Sequence, residues 1–182
     1  CCERVHPDLL LATDPDADRC GIAVKDGNDY VLLTGNEVGV LMLDYICKML
    51  SAGKGIPEGA IAVSTIVSTT MIDAIAARYG VTIRRTLTGF KYIGNIISEL
   101  VDAGHPERFL MGFEESYGYR AATHLRDKDA VSASMVICQM AQHYKLHGMN
   151  LADAIRALYE EYGFYRNKTV TLSFPGAQGA SH

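Results

Sequence analysis

Three aspartates near the start of the chain stand at alternate positions and are followed at once by an arginine. They are Asp14, Asp16 and Asp18, with Arg19 directly behind them. Carboxylates held this close repel one another, so the arrangement is stable mainly when a divalent cation lies among them. Hard carboxylate oxygens suit Mg²⁺, which keeps coordination positions open for water or phosphate oxygens. The pattern therefore predicts a magnesium site, and the alternative is a solvated acidic turn.

Two other kinds of site also use alternating aspartates, and the sequence fits them less well. Counted from Asp14, an EF-hand needs glycine at the sixth position and glutamate at the twelfth. Those positions hold Arg19 and Lys25. A phosphatase of the Asp-x-Asp-x-Thr/Val type would have Thr or Val where this chain has Asp18, which argues mildly against that enzyme.

Residues 86–91 form a second candidate group, because they follow a predicted strand and open a predicted helix. Gly89 lets a ligand approach the backbone, and the start of a helix attracts anions. Lys91 would add a positive charge. These residues predict a phosphate-binding turn, and a capped helix with a surface lysine explains them equally well.

Polar residues also follow the apolar run 109–113. Glu114, Glu115 and Ser116 come directly after it, and carboxylates beside a buried strand end are costly to leave without partners. Sugar hydroxyls would be natural partners for a carboxylate and a serine. The alternative is an exposed acidic turn, which these residues taken alone favour.

The last candidate group is the run of mixed charges at residues 124–129. Lys128 in this run could meet a phosphate group. Asp127 or Asp129 could instead cap the helix that follows, and the run taken alone favours that capping role. Residues 129–146 are apolar on nearly all sides and predict a central helix.

Strands and helices alternate along the chain and would position these groups. Strands are predicted at residues 60–66, 82–87 and 109–113. Helices before, between and after them have Asn36, Thr70 and Asn150 as predicted N-caps. This alternation predicts an α/β fold, a three-layer α/β/α sandwich with a mixed, mainly parallel sheet. Ligands bind such sheets where strands end, which is where the candidate groups lie.

Composition argues against several classes of function. The 182 residues are 48% hydrophobic, and the net charge of −4 argues against a nucleic-acid-binding protein. No apolar run reaches the length that spans a membrane. Five cysteines without a C-x-x-C pair favour reduced thiols. We therefore expect a cytoplasmic protein that binds neither nucleic acid nor membrane.

Taken together, the four groups resemble the α-D-phosphohexomutase family, the phosphoglucomutases and phosphomannomutases. Residues 14–19 match that family's metal loop, and residues 113–118 are similar to its Gly-Glu-Glu-Ser-Phe-Gly sugar loop. Residues 86–91 resemble its Thr-Pro-Thr-Gly-Trp-Lys segment, and residues 124–129 its His-Ile-Arg-Glu-Lys-Asp segment. The matches stand in the family's order and are most similar to the phosphoglucomutase/phosphopentomutase branch.

The resemblance implies an enzyme that moves phosphate between the C1 and C6 (or C5) hydroxyls of a sugar phosphate through a phosphoserine and a bisphosphate. It assigns Mg²⁺ to Asp14, Asp16 and Asp18, and the steadying of the moving phosphoryl group to Arg19. The implied substrate is glucose 1- or 6-phosphate or a pentose phosphate. The residues implied to bind it are Glu114 and Ser116 at the sugar hydroxyls and Thr88, Gly89, Lys91 and Lys128 around the phosphate.

The resemblance also implies a piece of a four-domain enzyme. Residues 1–28 would end the second domain with its metal loop, 29–165 would form the third, sugar-binding domain, and 166–182 would be a linker toward the fourth domain and a tail. The family's Thr-Ala-Ser-His-Asn-Pro phosphoserine loop is absent from the sequence, so we expect the isolated chain to be inactive. The alternative is a non-catalytic module that binds magnesium and a sugar phosphate.

Two positions depart from the family's pattern. Phe113 replaces the first glycine of the sugar loop. Gly118 stands where the bacterial phosphomannomutase/phosphoglucomutase branch carries histidine, which weakens an assignment to mannose phosphates.

Overall fold

The computed structural model describes residues 2–121, 127–168 and 170. The short helix α1 (Cys2–Val5) is followed by a small antiparallel sheet, which consists of β1 (Leu9–Thr13), β2 (Cys20–Asp26) and β3 (Asp29–Leu33). The register of β1 and β2 ends at the pair Thr13 and Cys20. Residues 14–19 therefore form the connection between two paired strands.

The second sheet has the strand order β5-β4-β6-β7. Its central strand β4 (Ile61–Thr65) runs parallel to β5 (Thr82–Thr86) and to β6 (Phe109–Phe113), and the two-residue strand β7 (Tyr119–Arg120) is antiparallel to β6. The helices are α2 (Gly35–Ala52), α3 (Met71–Tyr79), α4 (Phe90–Asp102), α5 (Ala130–Leu146) and α6 (Leu151–Tyr162). The predicted α/β class with a mixed, mainly parallel sheet is confirmed.

Apolar clusters cover both faces of the parallel strands. Ile61 and Val63 of β4 belong to a cluster with the inner face of α4, whereas Ala62 belongs to the cluster that includes α2, α3, α5 and α6. Successive residues of a strand point to opposite faces, so β4 contacts both helical layers. Every residue of β4 is buried, as expected for a central parallel strand.

Helix α4 carries a continuous apolar stripe toward the sheet. Phe90, Ile93, Ile97 and Leu100 are all buried on this stripe. Burial of one such side chain contributes roughly 1.5–3 kcal/mol, so the helix is firmly anchored. The start of α4, where Gly89 precedes it, is thereby fixed beside the carboxyl end of β5.

Helix α5 is apolar in sequence but only one side of it is buried. Ile137 and Met140 are fully buried, whereas Val131 is 71% exposed and Met135 is 58% exposed. The prediction of a central helix is therefore wrong for its outer face. In the described part of the chain, no helix combines the length and apolar character needed to cross a bilayer.

The start of α2 differs from the prediction. Thr34, not Asn36, is its N-cap, and Thr34 and Glu37 form a reciprocal capping box. Asn36 instead accepts a hydrogen bond from the amide of Thr69 at 3.0 Å. The first turn of α2 is therefore tied to the loop that follows β4.

The other predicted caps gave mixed outcomes. Thr70 makes no capping bond because its backbone is already helical, whereas an N-cap needs extended backbone. Asn150 caps α6 as predicted. At the start of α5, Asp129 is the capping aspartate, since its carboxylate accepts the amides of Val131 and Ser132.

Candidate active site

The metal loop, residues 14–19, brings its three aspartates together. One carboxylate oxygen from each lies within 4.8 Å of the others. Asp14 Oδ1 accepts hydrogen bonds from the amides of Asp18 at 3.1 Å and Arg19 at 3.0 Å. The Arg19 amide bond lowers the pKa of Asp14, so this carboxylate stays ionised at neutral pH. Ala17 adopts φ +54°, a left-handed conformation that closes the turn.

This donor set fits a small divalent cation. Oδ1 of Asp18 is buried and, among the described residues, has no hydrogen-bond partner. Buried carboxylate oxygens are normally satisfied, and the nearby Arg19 Nε is too distant for a hydrogen bond at 3.7 Å. The atoms that converge are all hard oxygens, which Mg²⁺ prefers. Asp14, Asp16 and Asp18 are therefore suited to hold Mg²⁺.

Lys128 joins the metal loop to the rest of the site. Its Nζ lies 2.5 Å from Oδ2 of Asp18, and this hydrogen bond raises the pKa of Lys128. The side chain of Lys128 is only 16% exposed. It therefore supplies a fixed positive charge beside the aspartates.

Lys128 and Lys91 line the same open hollow. Its volume is about 570 Å³, and its walls also include the metal loop. Nζ of Lys91 lies 4.9 Å from the ring centroid of Tyr92. The structure thus brings together the aspartates, Lys91 and Lys128, which the sequence places far apart. The lining residues are Asp16, Ala17, Asp18, Lys91, Asp127, Lys128 and Asp129.

The sugar loop, residues 113–118, reaches the start of α4 through Glu114. This side chain is 5% exposed, and its Oε1 accepts a hydrogen bond from the amide of Gly89 at 2.7 Å. Gly89 has φ +124°, a conformation that L side chains rarely adopt. Glu114 and residues 88–91 therefore lie on one rim of the sheet, as the sequence predicted.

Gly118 leaves space between two candidate binding residues. A Cβ atom at Gly118 would lie 3.0 Å from Cδ of Lys128 and 3.6 Å from Oε2 of Glu114. A side chain at this position would therefore require Lys128 to shift by a few tenths of an ångström. Glycine at position 118 thus lets Lys128 pack closely over the sugar loop.

Backbone hydrogen bonds hold the two loops together. The amide of Cys20 donates to the carbonyl of Tyr117 at 3.1 Å, and Arg19 and Gly118 form an isolated antiparallel bridge. The amide of Ala130 donates to the carbonyl of Ala17 at 3.1 Å. The metal loop, the sugar loop and the start of α5 therefore form one connected unit.

The remaining predicted residues are near the site, but nothing in their contacts assigns them a role. Ser116 is half-buried, and its side chain makes no hydrogen bond to another described residue. Thr88 is exposed beside Gly89. The Arg19 side chain is 54% exposed and so is available to a ligand. Residues 124–126 of the last predicted segment lie outside the described residues.

One buried charge near the site was not predicted from the sequence. Arg120 of β7 is 1% exposed and donates a hydrogen bond to the carbonyl of Asp127. Burial lowers the pKa of Arg120, and the charges of Asp129 and Asp127 oppose that effect. Because this bond fixes the residue before Lys128, Arg120 supports the backbone from which Lys128 extends. The signal available in the sequence for this buried charge was an arginine directly after Tyr119.

A family comparison gives this arrangement its context. Residues 34–162 match the model for "Phosphoglucomutase/phosphomannomutase, alpha/beta/alpha domain III". The chain belongs to the phosphoglucomutase/phosphomannomutase family. The metal loop precedes the matched region, and the sugar loop lies inside it.

Curated relatives agree with membership in this family, and a solved structure shares the fold. A phosphoglucomutase from Staphylococcus haemolyticus (strain JCSC1435) is 35% identical over 176 residues, which cover 96% of this chain and 31% of the relative. One from Staphylococcus aureus (strain MRSA252) is 34% identical over 177 residues, 97% of this chain and 31% of the relative. Parafusin, a Paramecium phosphoglucomutase, superimposes with a TM-score of 0.68 at 24% identity, over 87% of this chain and 25% of parafusin. The chain thus spans about a third of the length of these curated relatives.

Proposed function

We propose that this chain carries the metal loop and the sugar loop of a magnesium-dependent phosphosugar mutase. Such an enzyme moves phosphate between the C1 and C6 (or C5) hydroxyls of a sugar phosphate through a phosphoserine and a bisphosphate. The single observation that best supports the proposal is the shared hollow, in which Asp16, Asp18, Lys91 and Lys128 meet. Carboxylates for a metal and ammonium groups for a phosphate are the components that phosphoryl transfer requires.

The metal loop would work by electrostatic stabilisation. Asp14, Asp16 and Asp18 would hold Mg²⁺, which when bound neutralises negative charge on a phosphoryl group. Arg19 would donate hydrogen bonds to the oxygens of the moving phosphoryl group from its exposed side chain. Donors aimed at developing charge are usually the largest contribution to such catalysis.

The sugar loop would orient the substrate. Oε1 of Glu114 is held by Gly89, so its Oε2 is left to accept a hydrogen bond from a sugar hydroxyl. Ser116, whose hydroxyl has no hydrogen-bond partner among the described residues, would contact a second one. The substrate phosphate would lie among Lys91, Lys128 and the polar turn at residues 88–89.

The remaining parts of the enzyme would come from other domains of a longer protein. The sequence holds no Ser-His-Asn-Pro phosphoserine motif, so the phosphoryl carrier would lie outside these residues. In this proposal residues 1–28 end a second domain, 29–165 form a third, and 166–182 lead toward a fourth. The proposal also places the enzyme in the cytoplasm, with glucose or pentose phosphates as substrates.

Turnover and binding assays test the proposal. We expect this chain alone to show no conversion of glucose 1-phosphate to glucose 6-phosphate with Mg²⁺ and glucose 1,6-bisphosphate present. The protein that carries this chain together with a phosphoserine domain should convert it. If that longer protein shows no turnover with glucose, mannose or pentose phosphates, the proposed function is wrong.

A second candidate is a non-catalytic module that binds Mg²⁺ and a sugar phosphate. It is favoured by the composition of the hollow, because residues of this chain supply both its carboxylates and its lysines. Calorimetric titration separates the two. Micromolar binding of Mg²⁺ and glucose 1-phosphate by this chain supports a module, whereas very weak binding supports a cleft that other domains complete.

A further inference from the structure

The side chain of Glu115 bonds to residues at the end of β4, whereas the preceding Glu114 bonds to Gly89. Its Oε2 accepts hydrogen bonds from Oγ1 of Thr65 at 3.0 Å and from Oγ of Ser68 at 3.3 Å. Thr65 is fully buried and Ser68 is 4% exposed. The two hydroxyl oxygens also lie 2.8 Å apart, so their two protons are shared among these three contacts. The carboxylate is therefore bound at the carboxyl end of β4, the central strand.

The donors to Glu115 are themselves held in place by Arg85 of β5. One guanidinium nitrogen of Arg85 donates to the carbonyl of Thr65 at 2.9 Å, and the other donates to Oδ2 of Asp73 at 2.6 Å. The same guanidinium lies 3.5 Å from the carbonyl of Ser68. Residues 65–68 are therefore braced between two strands and α3, and they offer Glu115 a rigid anchor.

The backbone of Glu115 is fixed as tightly as its side chain. A Cβ atom at Gly35, in the first turn of α2, would lie 2.2 Å from the carbonyl oxygen of Glu115. Only glycine permits this close approach. The sugar loop thus lies directly on the start of α2 while Glu115 ties it to β4.

We infer that Glu115 is a positioning residue that holds the sugar loop so that Glu114 stays on the Gly89 amide and close to Lys128. This inference rests on the proposed function, because it assigns Glu115 to the support of a sugar-binding site. Glu115 lies between the two binding residues, and its anchored side chain sets the direction of both neighbours. It makes no contact with the hollow itself, so its effect is indirect.

Kinetics of the longer protein that carries this chain test the inference first. Glu115→Ala should raise KM for the sugar phosphate roughly tenfold with little change in kcat, because a displaced Glu114 weakens ground-state and transition-state binding alike. Glu115→Gln keeps an acceptor oxygen for Thr65 and should stay within about threefold of the wild type. Thr65→Val combined with Ser68→Ala should reproduce the effect of Glu115→Ala.

Hydrogen exchange of the Gly89 amide is a second readout, and it needs no activity. Because that amide donates to Glu114, Glu115→Ala in this chain should make it exchange at least about tenfold faster. Glu107→Ala is the matched control, since Glu107 is 57% exposed and pairs only locally with His105.

The outcomes of the two assays are distinguishable. An unchanged KM and an unchanged Gly89 exchange rate in Glu115→Ala would overturn the inference. A wild-type protein without turnover would refute the proposed function, and Gly89 exchange would still decide the positioning role. Should Glu115→Ala fail to fold, the double variant of Thr65 and Ser68 decides in the same way, with circular dichroism confirming its fold.

Discussion

The metal loop and the sugar loop are joined by backbone hydrogen bonds, but they are built in different ways. The turn of the metal loop is closed by its own residues, because Asp14 accepts hydrogen bonds from the amides of Asp18 and Arg19. The supports of the sugar loop come from three distant segments. The Gly89 amide donates a hydrogen bond to Glu114, and the Thr65 hydroxyl donates one to Glu115. Gly35 leaves room for the carbonyl group of Glu115.

This difference shows which changes each loop should tolerate. A loop closed by bonds within six residues keeps its shape when distant packing changes. A loop supported by β4, α2 and α4 depends on the whole domain. The bond from Cys20 to Tyr117 and the bridge between Arg19 and Gly118 are links through which one loop could disturb the other.

The largest expected effect is loss of metal binding when one aspartate of the metal loop is changed. Asp16→Asn should weaken binding of Mn²⁺, used as a probe for Mg²⁺, by on the order of a hundredfold, since even indirect changes at metal sites cost ten- to a hundredfold. Titration followed by electron paramagnetic resonance measures this. Asp29→Asn is the matched control, because Asp29 is exposed at the start of β3. Equal affinity in Asp16→Asn and wild type would contradict a metal site here.

The next effect should separate the two loops. Gly35→Ala places a methyl group against the carbonyl of Glu115 and should lower the free energy of unfolding by about 1–3 kcal/mol, the usual cost of overpacking. Mn²⁺ affinity should stay within about threefold of wild type, because the metal loop closes on itself. Urea unfolding and the Mn²⁺ titration together measure both.

Gly21→Ala is the control for this comparison. A Cβ atom at Gly21 would meet nothing within 4 Å, so its stability should change by no more than about 0.5 kcal/mol. If Gly35→Ala abolished Mn²⁺ binding while the chain stayed folded, the two loops would be one cooperative unit and the contrast drawn here would be wrong.

A smaller effect concerns competition between Lys128 and the metal. The Lys128 ammonium lies on Asp18, so an incoming cation must displace or share that contact. Lys128→Met should therefore raise Mn²⁺ affinity by about three- to tenfold, in line with the modest strength of partly exposed ion pairs. Lys91→Met is the control, because Lys91 lines the same hollow without an ion pair to Asp18. Reduced Mn²⁺ affinity in Lys128→Met would contradict the competition.

The contrast between the loops also explains what the sequence could predict. The metal loop was found from spacing, because the residues that bind and the residues that shape the turn are contiguous. The alternation of strands and helices placed Gly89 and Glu114 on the same rim, since both follow parallel strands. Gly118 could be flagged from the sequence, but its reason, the course of Lys128, required the structure.

The supports of the sugar loop could not be predicted because they depend on tertiary distance. Nothing in the spacing of Thr65 and Glu115 indicates that they bond across the sheet. The cap of α2 was misplaced because Asn36 bonds to Thr69, a contact that no local pattern indicates. Local propensity thus located the elements, whereas their side-chain contacts were set by packing.

The smallest expected effect is at the start of α5, where Ala130 bonds to Ala17 of the metal loop and Lys128 lies just before the N-cap. Asp129→Ala removes its N-cap and should lower the free energy of unfolding by about 1 kcal/mol at pH 7. Asp129→Asn keeps a capping oxygen and should retain most of that stability. Urea unfolding measures all three proteins, and a wild-type stability for Asp129→Ala would show that the cap is unimportant.

The pH dependence of that cap gives a sharper test. Burial raises the pKa of Asp129, but the hydrogen bonds from Ser132 and Val131 outweigh it and leave the pKa below its ordinary value of 3.8. A carboxyl group with a lowered folded-state pKa contributes stability above its unfolded value and loses it as pH falls through the folded value. The difference in the free energy of unfolding between wild type and Asp129→Asn should thus be constant from pH 7 to about 5. Below the ordinary carboxyl pKa, it should shift in favour of Asp129→Asn. A difference that stayed flat down to pH 2.5, where urea unfolding can still be followed, would show that the ionised cap adds nothing to the joint between the two loops.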